Sequence, residues 1–90
     1  MDQHSLPRHH SDVASQVVDG QAVLVHPGLG KVCALNGVGS RLWELADGTR
    51  TIGSMSGVIA MEYQVDEARA LVDALAFCQD LARRGMLVLE

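Results

Sequence analysis

The stretch ALNGVGSRLWELADGTRTI, residues 34–52, passes from strand-forming residues into a short amphipathic helix and then a glycine turn. Asn36 is a good helix N-cap, because its side-chain oxygen can accept from a free backbone N–H of the first turn. Val38, Leu42, Leu45 and Ala46 then recur at helical spacing with Trp43 beside them, and Asp47-Gly48 ends the run. Gly48 suits the left-handed position just past a helix. The segment holds no nucleophile with a base and no paired metal ligands. It is a place where strand gives way to helix, and the rest of the chain is read outward from it.

Upstream, SQVVDGQAVLVH has two β-prone runs divided by Asp19-Gly20, which supplies the positive φ angles of a two-residue type I′ hairpin turn. A second turn is expected at HPGLGK, where Pro27 presets φ and Gly28 tolerates a left-handed conformation. KVCAL, residues 31–35, reads as the third strand of an antiparallel meander whose outer members have open edges. Residues 1–12 are polar, carry Pro7 and three of the four histidines, and show no periodicity. They read as a flexible tail, leaving 13–90 as the folded domain. His4, His9 and His10 could hold a metal loosely, but a solvated tail accounts for them, and no metal site is expected.

Downstream, Thr51 can cap a second helix with Ile52, Met55, Ile59 and Tyr63 as its inward stripe. Gly57 inside it costs about 1 kcal/mol relative to Ala, so this helix depends on packing. Asp66 opens the third helix, with acids at its start and Arg83-Arg84 at its end to complement the macrodipole. Gly85 stops it, and MLVLE follows as an apolar tail that packs back on the core. At 100° per residue Ala70, Leu71, Ala74, Phe77, Cys78 and Leu81 share one face, with Val72, Leu75 and Gln79 on its flank. The fold class is α+β: a three-stranded antiparallel meander followed by a three-helix bundle.

Composition removes several functions. The net charge is −4, Lys31 is the single lysine, and the arginines are interleaved with acids. Duplex binding needs collected cationic charge, so neither nucleic acid nor an anionic membrane surface is an expected partner. There is no apolar signal region and no apolar run of membrane-spanning length, which places the protein in the cytoplasm. Cys33 and Cys78 read as small buried hydrophobes rather than a disulfide. Cys33 and His26 both lie in the meander, yet a catalytic thiol needs an electropositive, partly exposed niche, and Cys33 sits in an apolar strand. Glu62, Asp66 and Glu67 gather at a helix start, where capping explains them. GLGK is too short to cradle phosphates. No catalytic residue and no cofactor site is expected.

What remains is surface. An extended peptide can add itself to an unpaired strand, with backbone hydrogen bonds giving affinity and side-chain pockets giving specificity. The spare flank of the third helix either lines such pockets or covers the sheet, and pattern alone leaves both open. The same edge allows self-association into a homodimer.

The segment also resembles a known family. Leu35, Asn36, Gly39, Leu42, Trp43, Leu45, Asp47, Gly48, Arg50, Thr51 and Ile52 match, in order, the signature of PqqD-like proteins. Downstream, Tyr63, Val65, Asp66, Arg69, Asp73, Leu75, Phe77, Leu81, Arg84 and Gly85 are similar to that family's third helix. The resemblance implies a winged-helix-like domain that recognises ribosomally made, modified peptides. It would bind the leader of a precursor between the third strand and third helix, and present it to a maturation enzyme. In the coenzyme PQQ pathway that enzyme is a radical SAM protein; in lasso-peptide pathways it is a leader peptidase. On this reading Lys31, Val32, Cys33, Ala34 and Leu35 supply backbone pairing, and Leu71, Val72, Leu75 and Gln79 form the opposing wall. Leu71 and Val72 replace a basic residue and an alanine of many relatives, implying a more apolar cleft. The LN…W segment would act as a scaffold setting the angle between strand edge and helices. The rival for such a fold, a winged-helix DNA-binding module, would need a cationic third helix, whereas this one carries Asp66, Glu67, Asp73 and Asp80 against three arginines.

Overall fold

In the computed structural model, which describes residues 2–90, the chain forms β1 (Pro7–His9), β2 (Ala14–Val18), β3 (Gln21–His26) and β4 (Lys31–Ala34). The helices α1 (Gly37–Leu45), α2 (Ile52–Tyr63) and α3 (Glu67–Arg83) follow, and β5 (Leu87–Leu89) closes the chain. This is the expected α+β, winged-helix-like arrangement, with β2-β3-β4 as the three-stranded antiparallel meander.

The local signals act as chemistry requires. Asp19 and Gly20 have φ of 53° and 77°, the pair of positive values a type I′ turn demands, and Val18 faces Gln21 across it. At the second turn Pro27–Leu29 is a single 3-10 turn, and the left-handed residue is Gly30, at φ 63°, rather than Gly28. The 3-10 turn uses up the residues after Pro27, so the reversal falls two positions later than expected. Asn36, Thr51 and Asp66 each cap their helix, accepting from the backbone N–H three residues on at 2.7, 3.1 and 3.1 Å. In the ADGTR turn the Thr49 hydroxyl and backbone N–H both donate to Asp47, holding its carboxyl below the usual range.

Leu24, Ile52, Met55, Cys78, Leu81 and Met86 are the heart of the core. Ala22, Leu24 and His26 point inward from β3, alternating with half-buried Val23 and Val25, while β2 is exposed along its length. Ile52, Met55 and Ile59 form the inward stripe of α2, but Tyr63 is 43% exposed and reaches Gly37 O instead. Trp43, 4% exposed, is a core residue as expected.

The largest departure is at the N-terminus. Met1 lies outside the described residues, but the rest of the expected flexible tail is built into the fold. Pro7, Arg8 and His9 pair antiparallel with Leu89, Val88 and Leu87, so the apolar C-terminal tail is a strand. Further bonds run from Gly48 N–H to Pro7 O, from Ile52 N–H to Ser5 O and from Gly53 N–H to Gln3 O. The His9 ring stacks on Trp43 at 3.6 Å between centroids and donates from Nε2 to Trp43 O at 2.7 Å. The physical reason is that backbone groups bond regardless of side-chain polarity, and among the described residues the short C-terminal strand pairs with no other strand.

Deleting residues 2–9 is therefore expected to lower the denaturant midpoint and red-shift Trp43 fluorescence; an unchanged midpoint would restore the flexible tail. Gly57 sits exposed in α2 with nothing within 4 Å of an added Cβ. Gly57→Ala is expected to stabilise the protein by up to about 1 kcal/mol in urea unfolding.

Candidate functional site

The edge of β4 is built by the hydrogen-bond alternation of an antiparallel pair. Leu35 N–H donates to Ala22 O at 2.8 Å, continuing the register Val23↔Ala34, Leu24↔Cys33, Val25↔Val32 and His26↔Lys31. Alternation then turns the backbone groups of Lys31 and Cys33 toward β3 and those of Val32 and Ala34 outward. Among the described residues, no backbone bond joins Val32 or Ala34 to a segment beyond the sheet. β4 is the terminal strand of the order β2-β3-β4.

The side chains alternate with the opposite consequence. Leu35 is buried and Cys33 half-buried on the side of α3, whereas Val32 is 70% exposed. Two adjoining hollows separate this strand from α3. One, of ≈ 380 Å³, is lined by Gly30, Lys31, Val32, Cys33, Arg84 and Met86. The other, of ≈ 240 Å³, runs from Cys33, Ala34, Leu35 and Asn36 across to Phe77, Asp80 and Leu81. Arg84 lines both, donating to Cys33 Sγ at 3.5 Å and pairing with Asp80 at 3.2 Å.

The strand half of the predicted site is thus brought together: Lys31, Val32, Cys33, Ala34 and Leu35 form one wall. The helix half is not. Leu71, Val72, Leu75 and Gln79 line neither hollow, and Phe77, Asp80, Leu81 and Arg84 stand in their place. All four predicted residues lie ~120–160° around the helix from Phe77. Leu75 packs against the core cluster, and Val72 is 61% exposed. The rotation of α3 is set by the small residues Ala70, Ala74 and Cys78, which with Leu81 are its buried side. The expectation of a more apolar cleft through Leu71 and Val72 is corrected with it: the wall mixes Phe77 and Leu81 with the Asp80–Arg84 ion pair. Phe77 and Arg84, both in the matched third-helix pattern, were the available signal.

Gly39 explains part of the motif in residues 34–52. A Cβ there would stand 3.1 Å from Asn36 Oδ1 and 3.3 Å from the Phe77 ring, so glycine lets α1 close on α3 at the groove. Ser40 Oγ accepts from Ala22 N–H at 2.7 Å and donates to Leu35 O, tying α1 to the end of the sheet.

Cys33 contacts Arg84 rather than His26, and both cysteines are free thiols. Cys78 is buried as expected, and burial pushes its thiol up to about 12; Cys33 is half-buried in the groove rather than in the core. Arg69 of α3 pairs with Asp73, and Arg83 and the C-cap Arg84 both pair with Asp80. Among the described residues no helix is long and apolar enough to cross a membrane.

Residues 21–87 match the model of the family described as coenzyme PQQ synthesis protein D (PqqD). A PqqA binding protein from Rhodopseudomonas palustris (strain HaA2) is 32% identical over 57 residues, 63% of this chain and 56% of that protein. The match thus spans little more than half the length of that relative. Among solved structures, TbiB1 in complex with the TbiA(beta) leader peptide aligns with a TM-score of 0.83 at 30% identity, over 89% of this chain and 93% of that one. Lasso peptide synthetase B1 complexed with the leader peptide shares the fold, with a TM-score of 0.84 at 19% identity over 92% and 98% of the two chains.

A thiol reagent at pH 8 is expected to label Cys33 in the native protein and spare Cys78 until unfolding, as mass spectrometry of tryptic peptides would show. Equal labelling of both would contradict the burial of Cys78.

Proposed function

This chain belongs to the PqqD family, and on that premise we propose that it is a non-catalytic adaptor that binds the leader region of a ribosomally made precursor peptide. The observation that carries the reading is the unpaired edge of β4 facing α3 across two hollows. A leader in extended form pairs with the outward N–H and C=O groups of Val32 and Ala34. Its alternate side chains enter the hollows beside Phe77 and Leu81, and the Asp80–Arg84 pair supplies polar selectivity at the rim. The adaptor then presents the precursor, in the cytoplasm, to a maturation enzyme, a radical SAM protein or a leader peptidase.

The family model and the PqqA binding relative favour the PQQ type of precursor. The likeness to TbiB1, at 30% identity over nearly the whole of both chains, favours a lasso-type precursor. Both use the same groove, so the discriminating measurement is which leader binds.

Titrating synthetic PqqA and TbiA(beta) leader peptides into labelled protein is expected to shift the amides of residues 31–35 and 77–84 with one of the two. Val32→Pro removes an N–H that faces away from β3, a substitution edge strands tolerate. It is expected to weaken that leader about tenfold while leaving the melting temperature nearly unchanged, the size expected for one lost hydrogen bond. Val72→Ala should bind normally. Shifts confined to regions away from β4 and α3 would overturn this binding mode.

A further inference from the structure

A second constellation lies at the far end of β3, and the leader-binding reading makes no use of it. His26 ends β3 with its side chain turned into the protein, 5% exposed. Its Nδ1 is fully buried without a hydrogen-bond partner. Burying a polar nitrogen unpaired is costly, so native proteins seldom leave one without a role. The two residues that meet it come from the segment between β1 and β2. His10 and Asp12 each offer a ligand atom, and these and one from His26 all lie within 4.8 Å of one another. The two imidazoles are already in contact, with ring centroids 4.9 Å apart.

From this geometry we propose that His10, Asp12 and His26 form a site for a divalent transition-metal ion, zinc being the best fit. Two imidazoles and one carboxylate suit zinc and its neighbours, whereas magnesium and calcium prefer all-oxygen sets. Zinc–nitrogen bonds of ~2.0–2.1 Å in a tetrahedron put ligand atoms ~3.3 Å apart, so the separations close by at most ~1.5 Å. Only the outer two donors need travel: Asp12 is exposed and His10 half-buried. The backbone beneath them is set, since His10 N–H donates to Met86 O and Val13 N–H to His10 O, both at 3.0 Å.

A local bond already draws the two outer residues together. The Nδ1 of His10 accepts from Asp12 N–H at 3.0 Å. Three protein ligands leave one position for water or an external donor. The ion would clamp the 10–12 segment to the end of β3, whose last residue pairs with Lys31, the first residue of the groove strand.

The test uses the untagged full chain, stripped with EDTA and titrated with zinc chloride. One equivalent is expected to bind by calorimetry, the melting temperature to rise with zinc concentration, and the ring protons of His10 and His26 to shift in NMR. His10→Asn and Asp12→Asn, at positions outside the core, are each expected to weaken binding at least ~10-fold, while His4→Asn leaves it intact. If either variant melts early in EDTA, the ring shifts of the wild-type chain decide instead. The proposal fails if zinc does not bind, if the shifts are confined to His4 and His9, or if His4→Asn abolishes binding.

Discussion

The architecture depends on a single abrupt change of backbone, from strand to helix between Leu35 and Asn36. The Asn36 side chain caps α1 through Gly39 N–H, and one residue on, Ser40 takes the N–H of Ala22 from the neighbouring strand. These bonds join α1 to the sheet at a set angle. Because Leu35 still donates to Ala22, the last outward-facing groups of β4 stay in register up to the helix start. A strand that ran on past residue 36, or a helix that frayed, would close or displace the edge against α3. A few side-chain-to-backbone bonds thus join the segment to the sheet, while Leu42, Trp43, Leu45 and Ala46 bury its inner face in the core.

The groove is a compromise between packing and access. α3 is buried through alanine, cysteine and leucine, so it sits close to its neighbours, and Gly39 permits the Phe77 ring to approach α1. Phe77 thereby becomes half-buried wall rather than core. The polar side of the groove, Asp80 with Arg84, is exposed enough that its ion pair contributes little to stability and is free to exchange partners. The core elsewhere is aliphatic, and Trp43 is its one large ring, covered by the imidazole of His9.

The two ends of the chain complete the molecule together. β1 and β5 are each only three residues long, and neither is stable alone. They pair with each other, while Pro7 O accepts from Gly48 and the preceding Ser5 and Gln3 carbonyls accept from Ile52 and Gly53, so the N-terminal segment is tied to the α1–α2 turn and the start of α2. The same arrangement carries His10 and Asp12 to His26, which the meander by itself would leave facing nothing.

What the chain determined locally was legible from residue types. Asp19-Gly20 has to turn as a hairpin because both positions need positive φ. Asn36, Thr51 and Asp66 have to start helices because each offers an acceptor to a free N–H, and the family pattern followed from the ordered residues between Leu35 and Gly85. The strand half of the groove was equally legible, since an edge is a property of strand order. Tertiary structure alone decided the rest. The facing of α3 turned on which small residues allowed the closest approach, a comparison among neighbours that a helical wheel cannot make. The strand at residues 7–9 and the meeting of His10, Asp12 and His26 depend on backbone and side-chain partners distant in sequence, for which a polar stretch carries no periodic signal.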